Sequence, residues 1–213
     1  MVSNFNEIEF IGKVEQYIGT NLKYEISNHV IKMYIDNEIY YTFDCNNMNI
    51  YMYERGTKIE LSHFETEKLV KANFAMLIRN SLNNGNNYIN PEEIEKCSNL
   101  EELKLVCKNN LDEHYYSIGT VQIGKISIIF DGEYEILLGT ANKNYSIVRD
   151  SDKEYIFSRF HNEVIYYVSF LKNLKDYEVI FNEKFSEEEI MKLGGININE
   201  FKFRKSRNQR NIV

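Results

Sequence analysis

The sequence contains no tryptophan, one proline and no apolar run that approaches the roughly 18 residues of a membrane-spanning helix. Residues Met1–Phe10 lack the basic and then apolar pattern of a secretory signal, so we expect a cytoplasmic protein. The three cysteines are an odd number and are expected to remain reduced there: Cys45, Cys97 and Cys107. These absences argue against a membrane span and against a fold stabilised by disulfides.

Sequence motifs for catalysis and metal binding are also missing. A nucleophile needs a base held beside it, and a metal ion needs several ligands at close spacing. The chain contains no HExxH, CxxC, GxSxG, P-loop or GxGxxG pattern, and its four histidines are isolated: His29, His63, His114 and His161. The sequence therefore predicts no cofactor, no metal site and no catalytic residue. An enzyme whose site assembles from scattered acids and histidines is the less favoured alternative.

What the chain does contain is enough apolar sequence for a packed core. Of its 213 residues, 43% are hydrophobic and 27% are charged, which is typical of one large or two small folded domains. The 16 tyrosines favour strands, because aromatic residues pack well on pleated, half-buried surfaces. The formal net charge of −7 makes the protein acidic.

The clearest break in the pattern is the asparagine-rich segment 81–90, SLNNGNNYIN. Asparagine and glycine permit turn conformations and local side-chain hydrogen bonds, which are typical of a linker. We therefore predict a first unit at residues 1–82, a linker at 83–90 and a second unit at 91–176. A long hairpin loop inside one domain is the alternative interpretation of this segment.

Hydrophobic periodicity predicts a similar order of elements on both sides of the linker. In the first unit, helices flank five strands at Lys23–Ser27, His29–Ile35, Glu38–Cys45, Met48–Glu54 and Lys58–Leu61. In the second unit, helices flank five strands at Tyr115–Ile118, Val121–Phe130, Tyr134–Leu138, Tyr145–Arg149 and Glu154–Phe157. The predicted flanking helices are Glu7–Ile18, Thr66–Leu82, Pro91–Lys108 and Asn162–Leu174. The predicted fold class is α+β, with two antiparallel β-meanders flanked by helices.

Two landmarks align between the units and suggest an internal duplication. The turn Asp36-Asn37-Glu38 matches Asp131-Gly132-Glu133. Further along, Ser62-His63-Phe64 matches Ser158-Arg159-Phe160, and each is predicted to run directly into the closing helix. Chance similarity is the alternative, because Asp-Asn and Asp-Gly turns are common.

Residues 177–200 are predicted to form an appendix of a strand at Tyr177–Phe181 and a capped acidic helix that begins at Ser186. The tail Phe201–Val213 holds five basic residues and no acid, which leaves 20 basic against 32 acidic residues, or −12, on residues 1–200. We interpret this tail as a solvated extension. A nucleic-acid-binding arm is the alternative, and the acidic body argues against it.

Strand alternation predicts a stripe of tyrosines on three neighbouring strands. If the apolar alternate positions face the core, the positions between them face the other way. Those positions hold Tyr34, Tyr40, Tyr51 and Tyr53, with Glu54 at the rim. The matching positions near the hairpin of the second unit are Ile129 and Glu135. Aromatic residues with a polar tip often anchor protein interfaces, so the stripe is the candidate partner-binding site, and coverage by another part of the chain is the alternative.

The hairpin of the first unit is followed by Tyr51-Met52-Tyr53-Glu54-Arg55-Gly56 and by the helix entry Phe64-Glu65-Thr66-Glu67. In this arrangement, residues 23–82 resemble small α+β immunity proteins of bacterial polymorphic toxin systems. The second unit follows the arrangement only in outline, because Arg149-Asp150-Ser151 replaces the ERG segment. The resemblance implies a cytoplasmic protein that binds and blocks a cognate toxin, and it carries over no catalytic residue.

The charge of the chain agrees with a binding role. An acidic protein suits a basic partner, because complementary potentials speed encounter. The expected partner is therefore a basic protein toxin, with no direct binding of nucleic acid or membrane. A phage-encoded or regulatory adaptor that binds a host protein is the alternative.

Overall fold

The computed structural model describes residues 6–82 and 91–194 and shows the predicted α+β fold. These residues contain a five-stranded and a four-stranded sheet, each with its strands in chain order. They divide into two units, residues 6–82 with 173–189 and residues 91–172 with 190–194. The predicted linker at 83–90, the end of the appendix at 195–200 and the basic tail at 201–213 lie outside the described residues. None of the helices described is both long and apolar enough to cross a membrane.

The first unit contains sheet 1, in which every strand is antiparallel to its neighbours. Its strands are β1 (Tyr24–Ser27), β2 (Val30–Tyr34), β3 (Ile39–Asp44), β4 (Asn49–Glu54) and β5 (Thr57–His63). Helix α1 (Glu7–Ile18) precedes the sheet and α2 (Glu67–Leu82) follows it. All seven elements are confirmed, with bounds within two residues of the prediction.

Local signals define α1. The Asn6 side chain accepts a hydrogen bond from the backbone N–H of Glu9 at 3.2 Å, which caps the amino end. Gly19 ends the helix with φ at 76°, a left-handed conformation in which a β-carbon would be strained. Between these caps, four residues at helical spacing form one buried stripe: Phe10, Ile11, Val14 and Tyr17.

The core of the first unit lies on one face of sheet 1. The strand residues buried there are Ile31, Met33, Tyr41, Phe43 and Ile50. The ring of Phe10 in α1 lies 6.1 Å from the ring of Phe43 and 6.2 Å from that of Phe74 in α2. These contacts join both helices to the sheet. Full burial of each large apolar side chain contributes about 1.5–3 kcal/mol to the stability of the fold.

The second unit contains sheet 2. Its strands are β6 (Tyr116–Ile118), β7 (Ile126–Asp131), β8 (Glu133–Gly139) and β9 (Asn144–Asp150). The remaining helices are α3 (Pro91–Glu95), α4 (Leu100–Asn110), α5 (Lys153–Phe181) and α6 (Glu187–Leu193). Helix α5 contributes residues 153–172 to the second unit and residues 173–181 to the first. The sequence analysis predicted that the second unit ends at residue 176.

The beginning of the second unit differs from the prediction in two places. The predicted helix Pro91–Lys108 is two helices, because Asn99 interrupts it and caps α4 with hydrogen bonds from two backbone N–H groups at 3.0 Å. The predicted strand Val121–Phe130 begins only at Ile126, and β6 runs parallel to β7. Residues 119–125 connect these two parallel strands, with Gly119 and Gly124 at φ of 85° and 75°.

Two predicted strands in the second half of the chain are wrong, because both belong to α5. Glu154–Phe157 lies in its first turns, where the Asp152 carboxylate accepts a hydrogen bond from the Tyr155 N–H at 3.2 Å and caps the helix. Tyr177–Phe181 lies in its last turns, where the rings of Tyr177 and Phe181 stack with centroids 4.0 Å apart. In both segments the apolar residues extend one helical stripe, which outweighs their strand propensity.

The two units are consistent with an internal duplication of a three-stranded meander. Strands β2-β3 and β7-β8 pair in matching registers, and β3-β4 and β8-β9 match beside the hairpins until the β8-β9 register shifts between Ile136 and Leu137. The four core positions of β2 and β3 and their four counterparts in β7 and β8 are all buried: Ile31, Met33, Tyr41 and Phe43, and Ile126, Ile128, Ile136 and Leu138. The units differ at their edges, because β5 has no counterpart in sheet 2 and Ser158-Arg159-Phe160 lies inside α5 rather than at its start.

Candidate partner-binding face

The four tyrosines predicted from alternation lie together on the face of sheet 1 opposite the core. In the strand register, Tyr40 is paired with Tyr34 on one side and with Tyr53 on the other, and Tyr51 is paired with Thr42. The ring centroids of Tyr34 and Tyr40 are 5.5 Å apart, and those of Tyr40 and Tyr53 are 4.6 Å apart in a stacked arrangement. All four rings are half-buried. We call the surface formed by Tyr34, Tyr40, Tyr51 and Tyr53 the tyrosine face.

Glu54, the predicted rim residue, is not brought to this face. It is exposed at the end of β4 and is paired with Ile39. Because successive residues of a strand alternate between faces, Glu54 lies on the same face of sheet 1 as Met52, which is the core face. Tyr53 lies on the other face.

Tight turns hold the tyrosines in register. The Asp36 carboxylate accepts hydrogen bonds from the N–H groups of Glu38 and Ile39, both at 2.7 Å, and so fixes the β2–β3 turn. The β4–β5 turn places Arg55 and Gly56 at positive φ, the conformation typical of two-residue hairpins. The Arg55 guanidinium donates to the Glu38 carboxylate at 2.8 Å and links the two turns. A slip of one residue in either hairpin would move these rings into the core, so the turns define the face.

Three lysines belong to the tyrosine face and were missed by the sequence analysis. The Lys32 ammonium lies 4.5 Å from the ring centroid of Tyr34 and 4.2 Å from that of Tyr40. The ammonium of Lys23 lies 4.6 Å from the Tyr34 ring, and that of Lys58 lies 3.7 Å from the Tyr51 ring. These are cation–π distances. The signal was present in the spacing, since Lys32 is two residues before Tyr34 and therefore on its side of the strand.

A carboxylate of the chain also lies among these groups. The Tyr34 hydroxyl donates to Glu25 Oε1 at 2.7 Å, and the Lys32 ammonium is 3.7 Å from Glu25 Oε2. The hydrogen bond from Tyr34 lowers the pKa of Glu25, and the Lys32 and Lys23 charges act in the same direction. The interaction with Tyr34 raises the pKa of Lys32. The face thus combines aromatic rings, the lysine ammonium groups over them and the carboxylate of Glu25.

The corresponding face of sheet 2 has different chemistry. In the matching register, Ile129, Glu135 and Arg149 occupy the places of Tyr34, Tyr40 and Tyr53. The Arg149 guanidinium donates to Glu135 at 2.6 Å, and the Ser146 hydroxyl donates to the same carboxylate. Burial alone would raise the pKa of Glu135, but the hydrogen bonds and the charge of Arg149 outweigh it and lower the pKa. The charges of Glu135 and Arg149 therefore neutralise each other on this surface.

Away from the tyrosine face, the described titratable groups include buried thiols and a buried histidine whose pKa values are shifted by burial. Burial raises the pKa of the Cys45 and Cys107 thiols to about 12, which disfavours the thiolate that a nucleophile needs. Burial lowers the pKa of His161, whose Nε2 atom has no hydrogen-bond partner within the described chain. His29 pairs with Glu7 at 2.9 Å near the surface. Within residues 6–82 and 91–194, no group of three or more His, Cys, Asp or Glu side chains could hold a metal ion.

Comparisons with known proteins give no relative that adds to this description. No protein-family model, no curated protein and no solved structure matches the chain.

Proposed function

We propose that this chain is an immunity protein that neutralises a cognate toxin in the bacterial cytoplasm by binding it directly through the tyrosine face. The observation that supports the proposal is the contiguity of four half-buried tyrosines on the side of sheet 1 that faces away from the core. Tyrosine is enriched among the residues that carry most of the binding energy at protein interfaces.

The tyrosine face is also prepared for binding before a partner arrives. The Tyr40 and Tyr53 rings are stacked with an interplanar angle of 10°, and lysine ammonium groups lie over Tyr34, Tyr40 and Tyr51. Ordering a side chain at an interface costs free energy, and rings that are already held lose less conformational freedom on binding. A preorganised aromatic surface suits an inhibitor that acts by occupying its target without any chemical step.

The proposal is tested by co-expression with the toxin domain encoded beside this gene, using growth and co-purification as readouts. The wild-type chain is expected to restore growth and to co-purify with the toxin domain in a stoichiometric complex. The double variant Tyr51→Ala/Tyr53→Ala is expected to weaken the complex by about 2 kcal/mol or more, roughly 30-fold in Kd.

A control is Tyr155→Ala in α5. Tyr155 is 48% exposed and lies outside sheet 1. This variant should bind and protect like the wild type, and both variants should melt within a few degrees of it. Equal loss of binding in both variants, or full protection by the double variant, would contradict the proposed site. Stable binding without rescue of growth would replace toxin neutralisation with an adaptor role.

A further inference from the structure

Strand β1 is an open edge of sheet 1. Within the described residues it pairs with β2 on one side and with no strand on the other, and all four of its residues are exposed. The Tyr34 N–H donates to the Lys23 carbonyl at 3.0 Å, so Lys23 directs its backbone groups towards β2. Because this direction alternates along an antiparallel strand, Tyr24 and Ile26 direct their N–H and C=O groups outwards. The edge therefore offers hydrogen-bonding groups to another strand.

The opposite edge of sheet 1 is protected, whereas β1 is not. Charged side chains and β-bulges keep edge strands from pairing with other chains. Edge strand β5 has both, because Lys58 and Glu60 are exposed on it and its register with β4 contains a shift. Strand β1 pairs with β2 without a shift. Its residues with outward backbone groups are apolar and exposed, Tyr24 by 42% and Ile26 by 37%. The β1 edge is therefore the one of the two that is suited to association.

The sequence along this edge is complementary to itself about Tyr24. When two copies pair antiparallel with Tyr24 opposite its own counterpart, residue 23 of each copy faces residue 25 of the other, and residue 22 faces residue 26. Each Lys23 is then opposite a Glu25, and each Leu22 is opposite an Ile26. Opposite charges directly across a strand pair contribute about 0.2–1 kcal/mol. The edge thus combines two charge pairs with two apolar pairs.

We propose that a second copy of the chain binds the β1 edge in this register, so that the two five-stranded sheets form one continuous sheet. Residues 22, 24 and 26 share one backbone direction, so the outward groups of one copy meet those of the other. The contact is isologous, because each copy contributes the same edge. Paired residues lie on the same face of a sheet, so the two tyrosine faces come to lie on one side. This inference goes beyond the proposed function and does not depend on it.

The charge pattern selects both the register and the strength of this dimer. Pairing centred on Glu25 instead would place two Glu25 carboxylates directly opposite each other, and like charges in that position are destabilising. The formal net charge of −7 on each copy opposes association, but exposed charges more than about 8 Å apart are largely screened at physiological ionic strength. A single short edge buries little area, and interfaces below about 1,200 Å² are typical of weak complexes. We therefore expect a weak dimer.

The test is sedimentation equilibrium of the full chain between roughly 10 μM and 1 mM, the range in which a weak dimer dissociates. The wild type is expected to show a monomer–dimer equilibrium. Ile26→Lys should raise the dimer Kd at least about tenfold, because two ammonium groups enter each contact. Val179→Lys is the matched control, since it makes the same kind of change at a residue of α5 that is 73% exposed. Its Kd should stay within about twofold of the wild type, and both variants should melt within a few degrees of it.

Charge reversal tests the register. Lys23→Glu and Glu25→Lys should each raise the Kd at least about threefold, because like charges then meet across the edge. A mixture of the two variants should form a heterodimer more stable than either homodimer, since every charge again faces its opposite.

Four outcomes would overturn the inference. They are a wild type that stays monomeric at the highest concentration, an unchanged Kd in Ile26→Lys, an equal loss in Val179→Lys, or no heterodimer in the mixture. A monomeric wild type whose toxin binding is lost in Ile26→Lys would reassign the edge to the toxin. Neutralisation of the toxin is measured separately by co-expression, so the proposed function and this inference can each fail without the other.

Discussion

The hairpins β2–β3 and β7–β8 share a register and a buried face, but sheets 1 and 2 differ on their other face. Phe43 and Leu138 occupy equivalent core positions, and both are buried. At the equivalent outward positions, sheet 1 has the pair Tyr40 and Tyr53, whereas sheet 2 has the ion pair of Glu135 and Arg149. Packing restricts the buried positions to apolar residues of suitable volume, while the outward positions are free to diverge. The difference between the sheets is therefore where a function specific to one unit is expected.

The largest expected effect comes from the face that the two sheets share. Phe43→Ala should lower the free energy of unfolding by about 3–5 kcal/mol and Leu138→Ala by about 2–5 kcal/mol, because each leaves a cavity in a core. Urea unfolding followed by far-ultraviolet circular dichroism measures both. Phe130→Ala is the matched control, since Phe130 is 57% exposed, and it should cost about 1 kcal/mol or less. A loss below that of the control at Phe43 or Leu138 would contradict the assigned core.

The second effect comes from copying the ion pair of sheet 2 onto sheet 1. Tyr40→Glu/Tyr53→Arg should fold, because the equivalent positions of sheet 2 hold these residues in the same register. It should nevertheless lose about 2 kcal/mol or more of binding to the toxin domain, measured by calorimetry, since two aromatic anchors are removed. The reverse change, Glu135→Tyr/Arg149→Tyr, should leave toxin binding unchanged. Retained affinity in the first variant would show that the comparison of outward faces does not locate the function.

The smallest effect is a pH dependence at the ion pair of sheet 2. Because the folded-state pKa of Glu135 lies below its ordinary value of 4.5, its stabilising contribution is complete at neutral pH and is lost as pH falls below 4.5. Glu135→Gln should therefore cost about 1 kcal/mol at pH 7, and this difference from the wild type should shrink towards pH 3. Thermal unfolding between pH 3 and 7 measures it. Glu38→Gln, in an ion pair exposed on both sides, should stay within about 0.5 kcal/mol throughout. A cost for Glu135→Gln that is the same at every pH would contradict the assigned pKa.

Sheet 1 could be predicted from the sequence because its strands have polar and apolar residues in alternation. The alternation that places Ile31 and Met33 in the core also places Tyr34 and Tyr40 on the other face of the sheet. One pattern therefore predicts both the core and the tyrosine face. The pairing of Ile129 with Glu135 in sheet 2 also agrees with the alignment of the two hairpins.

The features that could not be predicted depend on competition between elements. Glu154–Phe157 has the composition of a strand, but the Asp152 cap and the stripe that continues through Phe160 make it helical. The parallel pairing of β6 with β7 depends on the connection at residues 119–125, and no short pattern encodes strand direction. Lysine positions over rings depend on side-chain rotamers, which alternation does not specify.

The most direct test of the account is tyrosine nitration of the chain, free and in complex with its toxin domain, with rates resolved by mass spectrometry. If the partner covers the tyrosine face, four residues react several-fold more slowly in the complex: Tyr34, Tyr40, Tyr51 and Tyr53. Tyr155 and Tyr166, which are 48% and 42% exposed, should react at unchanged rates and serve as internal controls. Unchanged rates at the tyrosine face, together with protection at either control residue, would show that the partner binds elsewhere.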